Sequence, residues 1–184
     1  MNIVLKVATL DHIEEILALH YKYQIDSISE DDKADGFITT AFTKTHLSSL
    51  IQNENGLFIA CVDNKIVAYV MAASWDYWSQ WPMFQFMIEN LHDSTCHEQA
   101  ITKTNSYQYG PVCVDKTVRG QGVFEKIFNF SLSKMSKRYP IMVTFINKTN
   151  KRSYEAHTKK TSLNVICNFE FNNNQYYKLA CKTA

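Results

Sequence analysis

The chain has 184 residues, a hydrophobic fraction of 46%, five glycines and three prolines. That size and composition predict a single globular domain over residues 1–184 with a core of its own, and argue against a disordered chain. A formal net charge of +1 supplies no global field to draw nucleic acid or an acidic membrane surface.

The five cysteines, Cys61, Cys96, Cys113, Cys167 and Cys181, are odd in number and show no C-x-x-C spacing. Buried free thiols in a reducing compartment are expected, with neither disulfides nor a metal site. No apolar run approaches the roughly 20 residues that span a bilayer. The N-terminus reads as a strand and not as a signal peptide. The expectation is a soluble cytoplasmic protein.

In chain order, Ile3 to Val7 alternates as a strand. Thr9 or Asp11 is placed to cap the helix behind it, with Ile13, Ile16, Leu17 and His20 on one face. The acidic stretch from Asp26 to Gly36 reads as a loop. Ala41 to Ile51 reads as a second helix, stopped by Asn53-Glu-Asn-Gly56. Leu57 to Val62 and Lys65 to Ala73 form strands joined at Asp63-Asn64. From Ser74 to Asn105 the pattern is least regular. It is dense in aromatics from Trp75 to Phe86, and Pro82 opens a helical spacing of Met83, Phe84, Met87, Ile88 and Leu91.

Tyr107 to Val114 is a strand, Gly120 to Arg138 a helix, Ile141 to Ile146 a strand and Thr149 to Lys160 a helix. Asn164 to Phe171 and Gln175 to Cys181 pair across Asn172-Asn-Asn174. This order predicts an α+β fold: a mixed, mostly antiparallel central sheet of about seven strands, flanked by helices.

Three groups of residues carry chemistry. The first is the turn Arg119-Gly120-Gln121-Gly122, between a β-branched strand ending at Val114 and a helix that opens with Val123 and Phe124. A strand, a glycine-bearing turn and a helix N-terminus aim backbone N–H groups and the positive end of the helix dipole at one point, which suits a phosphate or diphosphate. The bland alternative is that Gly120 and Gly122 merely break the chain. No Gly-Lys-Ser/Thr follows, so this is not a Walker loop, and no G-x-G-x-x-G is present.

The second group is Asn150, Ser153, Tyr154 and His157. Positions i, i+4 and i+7 share a helix face, with i+3 at its edge. A solvated face is the plain alternative, because Lys148, Lys151, Arg152, Lys159 and Lys160 surround it. The third is the aromatic segment from Trp75, read as a wall for a substrate, as core packing or as a homodimer contact. Asp76 within it has the charge to attract a cationic amine.

The chain resembles the GNAT superfamily of acyl-CoA-dependent N-acyltransferases. That family carries Q/R-x-x-G-x-G/A after its fourth strand, and Arg119-Gly-Gln-Gly122-Val-Phe124 matches the first two anchors; Phe124 stands where Gly or Ala is usual. The resemblance implies acetyl-CoA as co-substrate, with no metal. It implies that the turn from Arg119 to Phe124 holds the diphosphate, and that the main chain at Val112 and Val114 holds the pantetheine arm and polarises the thioester. Asn150 and Ser153 would contact CoA, and His157 or Tyr154 would protonate the departing thiolate. A phenol with a pKa of about 10 and an imidazole of about 6.5 are both usable acids there.

On the acceptor side stand Trp75, Asp76 and Tyr109. Tyr107, Gln108 and Tyr109 supply no carboxylate base before Asp115. The activity implied is N-acetyl transfer by direct attack of a primary amine, on a small molecule or a peptide. The alternative is a non-catalytic acyl-CoA-binding sensor or interaction module of the same fold.

Overall fold

A computed structural model describes residues 1–33 and 36–184. Seven strands form one sheet in the order β1-β2-β3-β6-β7-β9-β8. β1–β2, β2–β3, β7–β9 and β8–β9 pair antiparallel, and β6 pairs with β7 in parallel. The chain contains two compact units: Met1–Ala72 with Gly110–Ser131, and Ala73–Tyr109 with Leu132–Ala184.

The first unit begins with β1 (Val4–Val7), β2 (Leu57–Val62) and β3 (Lys65–Ala73). β2 and β3 match the sequence reading residue for residue. Their link, Asp63-Asn64, holds φ of 49° and 62°. Such a pair twists with the strands it joins, and Asn and Asp tolerate that left-handed backbone. Gly56 leads into β2 so close to β3 that its carbonyl accepts from Ala72 N–H at 2.7 Å.

Helix α1 (Ile13–Tyr23) follows a 3₁₀ turn, Leu10–His12, rather than starting directly after its cap. The Thr9 N–H donates to His12 Nδ1 at 3.0 Å. α1 buries Ile13, Ile16, Leu19, His20 and Tyr23. Leu19 takes the inner place expected of Leu17, which is half-buried. In the stretch read as a loop from Asp26 to Gly36, a short helix α2 spans Glu30–Lys33, and residues 34–35 lie outside the described ones.

The helix expected over Ala41–Ile51 is shorter. Thr43 caps α3 (Lys44–Ser49) by accepting from His46 N–H, and a π turn (Leu50–Glu54) follows, ending at Asn55 with φ 49°. Phe42, Leu47 and Leu50 are fully buried there.

The second unit contains α4 (Trp75–Trp78), α5 (Pro82–Glu89), β7 (Ile141–Asn147), α7 (Lys151–Lys160), β8 (Asn164–Phe171) and β9 (Asn174–Lys182). Pro82 stands in the first turn of α5, where its missing N–H removes no helix bond. The β8–β9 link, Asn172-Asn173, repeats the left-handed pair, with φ of 47° and 60°. A two-stranded hairpin, β4 (Thr95–Cys96) with β5 (Gln99–Ala100), was not expected from the sequence. Strands of two residues are too short to show an alternation.

β6 (Ser106–Val114) and α6 (Val123–Met135) each contribute to both units. β6 pairs with β7 over Ser106–Gln108, and its Gly110–Pro111 peptide is cis. α6 starts three residues later than Gly120, since Gly120 and Gly122 hold left-handed backbone, φ 76° and 77°. Among the described residues, no helix is long and apolar enough to cross a membrane.

Candidate active site

In the first unit, the segment from Val112 to Phe124 is shaped by its own side chains. Asp115 N–H donates to Val67 O at 2.8 Å, ending the strand. Asp115 Oδ1 then accepts from Thr117 N–H at 2.9 Å and from Thr117 Oγ1 at 2.7 Å, capping a 3₁₀ turn, Lys116–Val118. Oδ2 accepts from Lys22 Nζ at 2.7 Å. Burial works against the carboxylate, but the Lys22 ammonium and the two Thr117 donors outweigh it and bring its pKa down to about 2. Lys116 N–H donates to Tyr23 Oη at 2.8 Å.

The side chains of the turn also bind inward. Arg119 Nε donates to Val114 O at 3.0 Å, and its guanidinium lies 5.2 Å from the centre of the Tyr23 ring. Gln121 Nε2 donates to Thr117 O at 3.1 Å. Arg119 and Gln121 therefore brace the turn with their side chains, and the Arg119 N–H donates to Lys116 O at 3.4 Å.

A Cβ built on Gly120 or Gly122 meets nothing within 4 Å. The glycines are required for their positive φ, and the space outside them is open. α6 starts at Val123, with Lys126 N–H donating to Gly122 O at 3.2 Å. The first N–H groups of a helix lack intrahelical acceptors, so an anion in that open space meets donors and the positive end of a dipole. This geometry fits a diphosphate. Phe124 stands where Gly or Ala is usual in the family pattern. It is half-buried, with its ring 6.3 Å from that of Phe128.

In the second unit, the β6–β7 ladder stops at Gln108. The next carbonyl, Tyr109 O, accepts from Thr144 Oγ1 at 2.7 Å and from Gln108 Nε2. Sequence reasoning missed Thr144, because a threonine in a strand carries no signal beyond its β propensity. It also missed the bracing by Lys22 and Tyr23. Asp115-Lys-Thr117 was the available clue, being a cap pattern directly after a strand.

α7 is capped by Asn150, whose Oδ1 accepts from Ser153 N–H at 3.1 Å. His157 is buried and points inward, its ring 5.8 Å from that of Tyr109 and edge-on at 73°. Its Nδ1 lies 2.7 Å from Ser153 O. A carbonyl only accepts, so Nδ1 carries the proton and Nε2 the lone pair. Burial lowers the His157 pKa to about 4, opposed by the bond to Ser153 O. The imidazole is therefore neutral at pH 7. In this state its Nε2 is an acceptor. The Tyr154 ring lies 4.5 Å from that of Tyr177.

The expected acceptor-side residues separate. Trp75 is fully buried, with Nε1 donating to Ser106 Oγ at 2.9 Å. It is core, not wall, because its one polar atom is satisfied inside. Tyr109 is equally buried. Asp76 is exposed and accepts from Lys103 Nζ at 2.7 Å. Trp81 and Phe86 are the half-buried rings of that segment. Thus α7 and β6 bring Ser153, His157 and Tyr109 together, whereas Asp76 points to solvent.

No protein-family model and no curated protein matches the sequence. Solved structures do match. The ribosomal-protein-S18-alanine N-acetyltransferase from Escherichia coli superposes with a TM-score of 0.65 at 7% identity, covering 100% of this chain and 95% of that one. The protein yncA from Salmonella typhimurium, solved with its cofactor acetyl-CoA, gives 0.65 at 9% identity over 99% and 94%. The NatC complex bound to Gag peptide and CoA contains a chain that gives 0.62 at 14% identity over 99% of each. The fold of this protein is that of the GNAT acetyltransferases.

Proposed function

We propose that the protein is an N-acetyltransferase that moves an acetyl group from acetyl-CoA to a primary amine by direct attack. The observation that carries this reading is the braced, open, left-handed turn at the head of α6, in a fold shared with acetyltransferases. Acetyl-CoA supplies an activated thioester. Backbone N–H groups from Arg119 to Phe124 bind its diphosphate, and the main chain at Val112 and Val114 holds the arm and stabilises negative charge on the carbonyl oxygen. Asn150 and Ser153 bind along the arm. Tyr154 is the proton donor to the sulfur, since His157 is neutral and serves to fix Ser153 and Tyr109. The acceptor is a small-molecule or peptide amine. The five free thiols support a cytoplasmic location.

A calorimetric titration with acetyl-CoA, with ATP as control, tests the turn. Saturable binding of acetyl-CoA but not ATP is expected; no binding would sink the proposal. An amine screen and Tyr154→Phe test the chemistry, with kcat expected to fall by about 10²-fold for loss of a general acid. One observation favours a second reading, a non-catalytic acyl-CoA sensor: β6 carries Tyr107, Gln108 and Tyr109, all buried and none a carboxylate. Binding without acetylation of any amine would select it.

A further inference from the structure

Lys178 lies on β9 with 4% of its surface exposed. An ammonium out of water is costly unless charge or hydrogen bonds replace its hydration. Its Nζ donates to Asn90 O at 3.2 Å and to Ser94 Oγ at 3.0 Å. Both acceptors are neutral, and an ammonium has three donors. Among the described residues no carboxylate forms an ion pair with it. Burial lowers its pKa, opposed by negative charge at Cys167 and Asp93.

Cys167 stands directly across the ladder from Lys178, next to a bulge that leaves Ile166 without a partner. Its Sγ is 3.8 Å from Ser94 Oγ, the hydroxyl that Lys178 also holds. Cys61, Cys96, Cys113 and Cys181 are all buried, and burial raises every one of those thiols, Cys113 to about 12 and Cys181 to about 11. Cys167 alone among the five is partly exposed. A thiolate is the reactive form of cysteine, and a neighbouring cation favours it.

We propose that Cys167, Ser94 and Lys178 form a peroxide-reactive thiol site, at which Cys167 is reversibly oxidised to the sulfenic acid. The Cys167 thiolate attacks one oxygen of hydrogen peroxide. An S–O bond forms, the O–O bond breaks, and the leaving hydroxide takes a proton from the Lys178 ammonium. The products are Cys167–SOH, water and a neutral Lys178 amine. Sulfur loses two electrons and peroxide gains them.

Lys178 also sits at the C-terminal end of α5, where a cation suits the helix dipole. A capping role alone predicts that Lys178→Met lowers stability but leaves Cys167 chemistry untouched. The full-length protein is exposed to hydrogen peroxide with a sulfenic-acid trap, and labelling is followed at each cysteine by mass spectrometry. Cys167 is expected to label first, about tenfold faster than glutathione at pH 7. Lys178→Met is expected to abolish that advantage and Lys178→Arg to retain it. Equal rates in Lys178→Met and the parent protein overturn the proposal. Should Lys178→Met not fold, a parent Cys167 no faster than glutathione overturns it without any variant.

Discussion

Single atoms fix this backbone at places that the sequence marks only by a letter. A Cβ on Gly56 would lie 1.7 Å from Ala72 O and 2.9 Å from Ala72 C, both backbone atoms of the neighbouring strand. Nothing flexible is there to yield. Gly56→Ala is expected to cost about 3 kcal/mol or more, as overpacking against a rigid neighbour does. A denaturant midpoint equal to that of the parent would refute the close approach. The sequence shows Gly56 as part of a helix stop, and that reading is right as far as it goes. Its tight pairing with Ala72 depends on a contact sixteen positions away, which no local pattern carries. His157 teaches the same lesson. Its spacing from Asn150 is legible, whereas its burial against Tyr109, and hence its neutral state, belongs to the folded chain.

At the level of elements, ends proved harder to read than middles. β2, β3 and β8 have the bounds that alternation and turn residues indicate, because Asp63-Asn64 and Asn172-Asn173 punctuate them directly. α3 and α6 came out shorter than their apolar spacing suggests, since that spacing continues through a π turn and through two glycines that are not helical. The cap of α7 allows stability to be separated from binding. Asn150→Ala is expected to cost about 1 kcal/mol through loss of the bond to Ser153 N–H. Asn150→Asp keeps an acceptor at the cap and should keep stability, while weakening acetyl-CoA binding, because it replaces an amide donor by a second anion. Urea unfolding and calorimetry on the two variants check this. Equal stability of Asn150→Ala and the parent would remove the cap from the account.

For the molecule as a whole, three groups set the response to acid. His20 and His157 are both lowered by burial from 6.5 to about 4. Between those values the unfolded chain binds more protons than the folded one, so stability is full above pH 6.5 and falls as pH drops toward 4. Each histidine contributes roughly 3 kcal/mol to that fall. Asp115 acts lower. Its folded pKa near 2 lies below the unfolded 3.8, so its stabilisation is present above 3.8 and lost as pH falls through 2. Denaturant midpoints at pH 7.5, 5.5 and 4 should decline steadily; a flat profile down to pH 4 would contradict neutral, buried histidines. The sheet behind this behaviour was largely legible, since strand lengths and turn residues are local. The parallel pairing of β6 with β7 was not, because parallel neighbours are joined through a crossover and share no turn.

The irregularity at Ile166 bears on more than Cys167. β8 ends the strand order of the sheet, so among the described residues its outer row of N–H and C=O groups has no neighbouring strand. Such a row is a template on which another chain can assemble into an aggregate. One inserted residue, with Glu170 further along the same strand, breaks the even repeat that an added strand would have to follow. The misfit thus makes β8 a poor template for an added strand at the margin of the sheet.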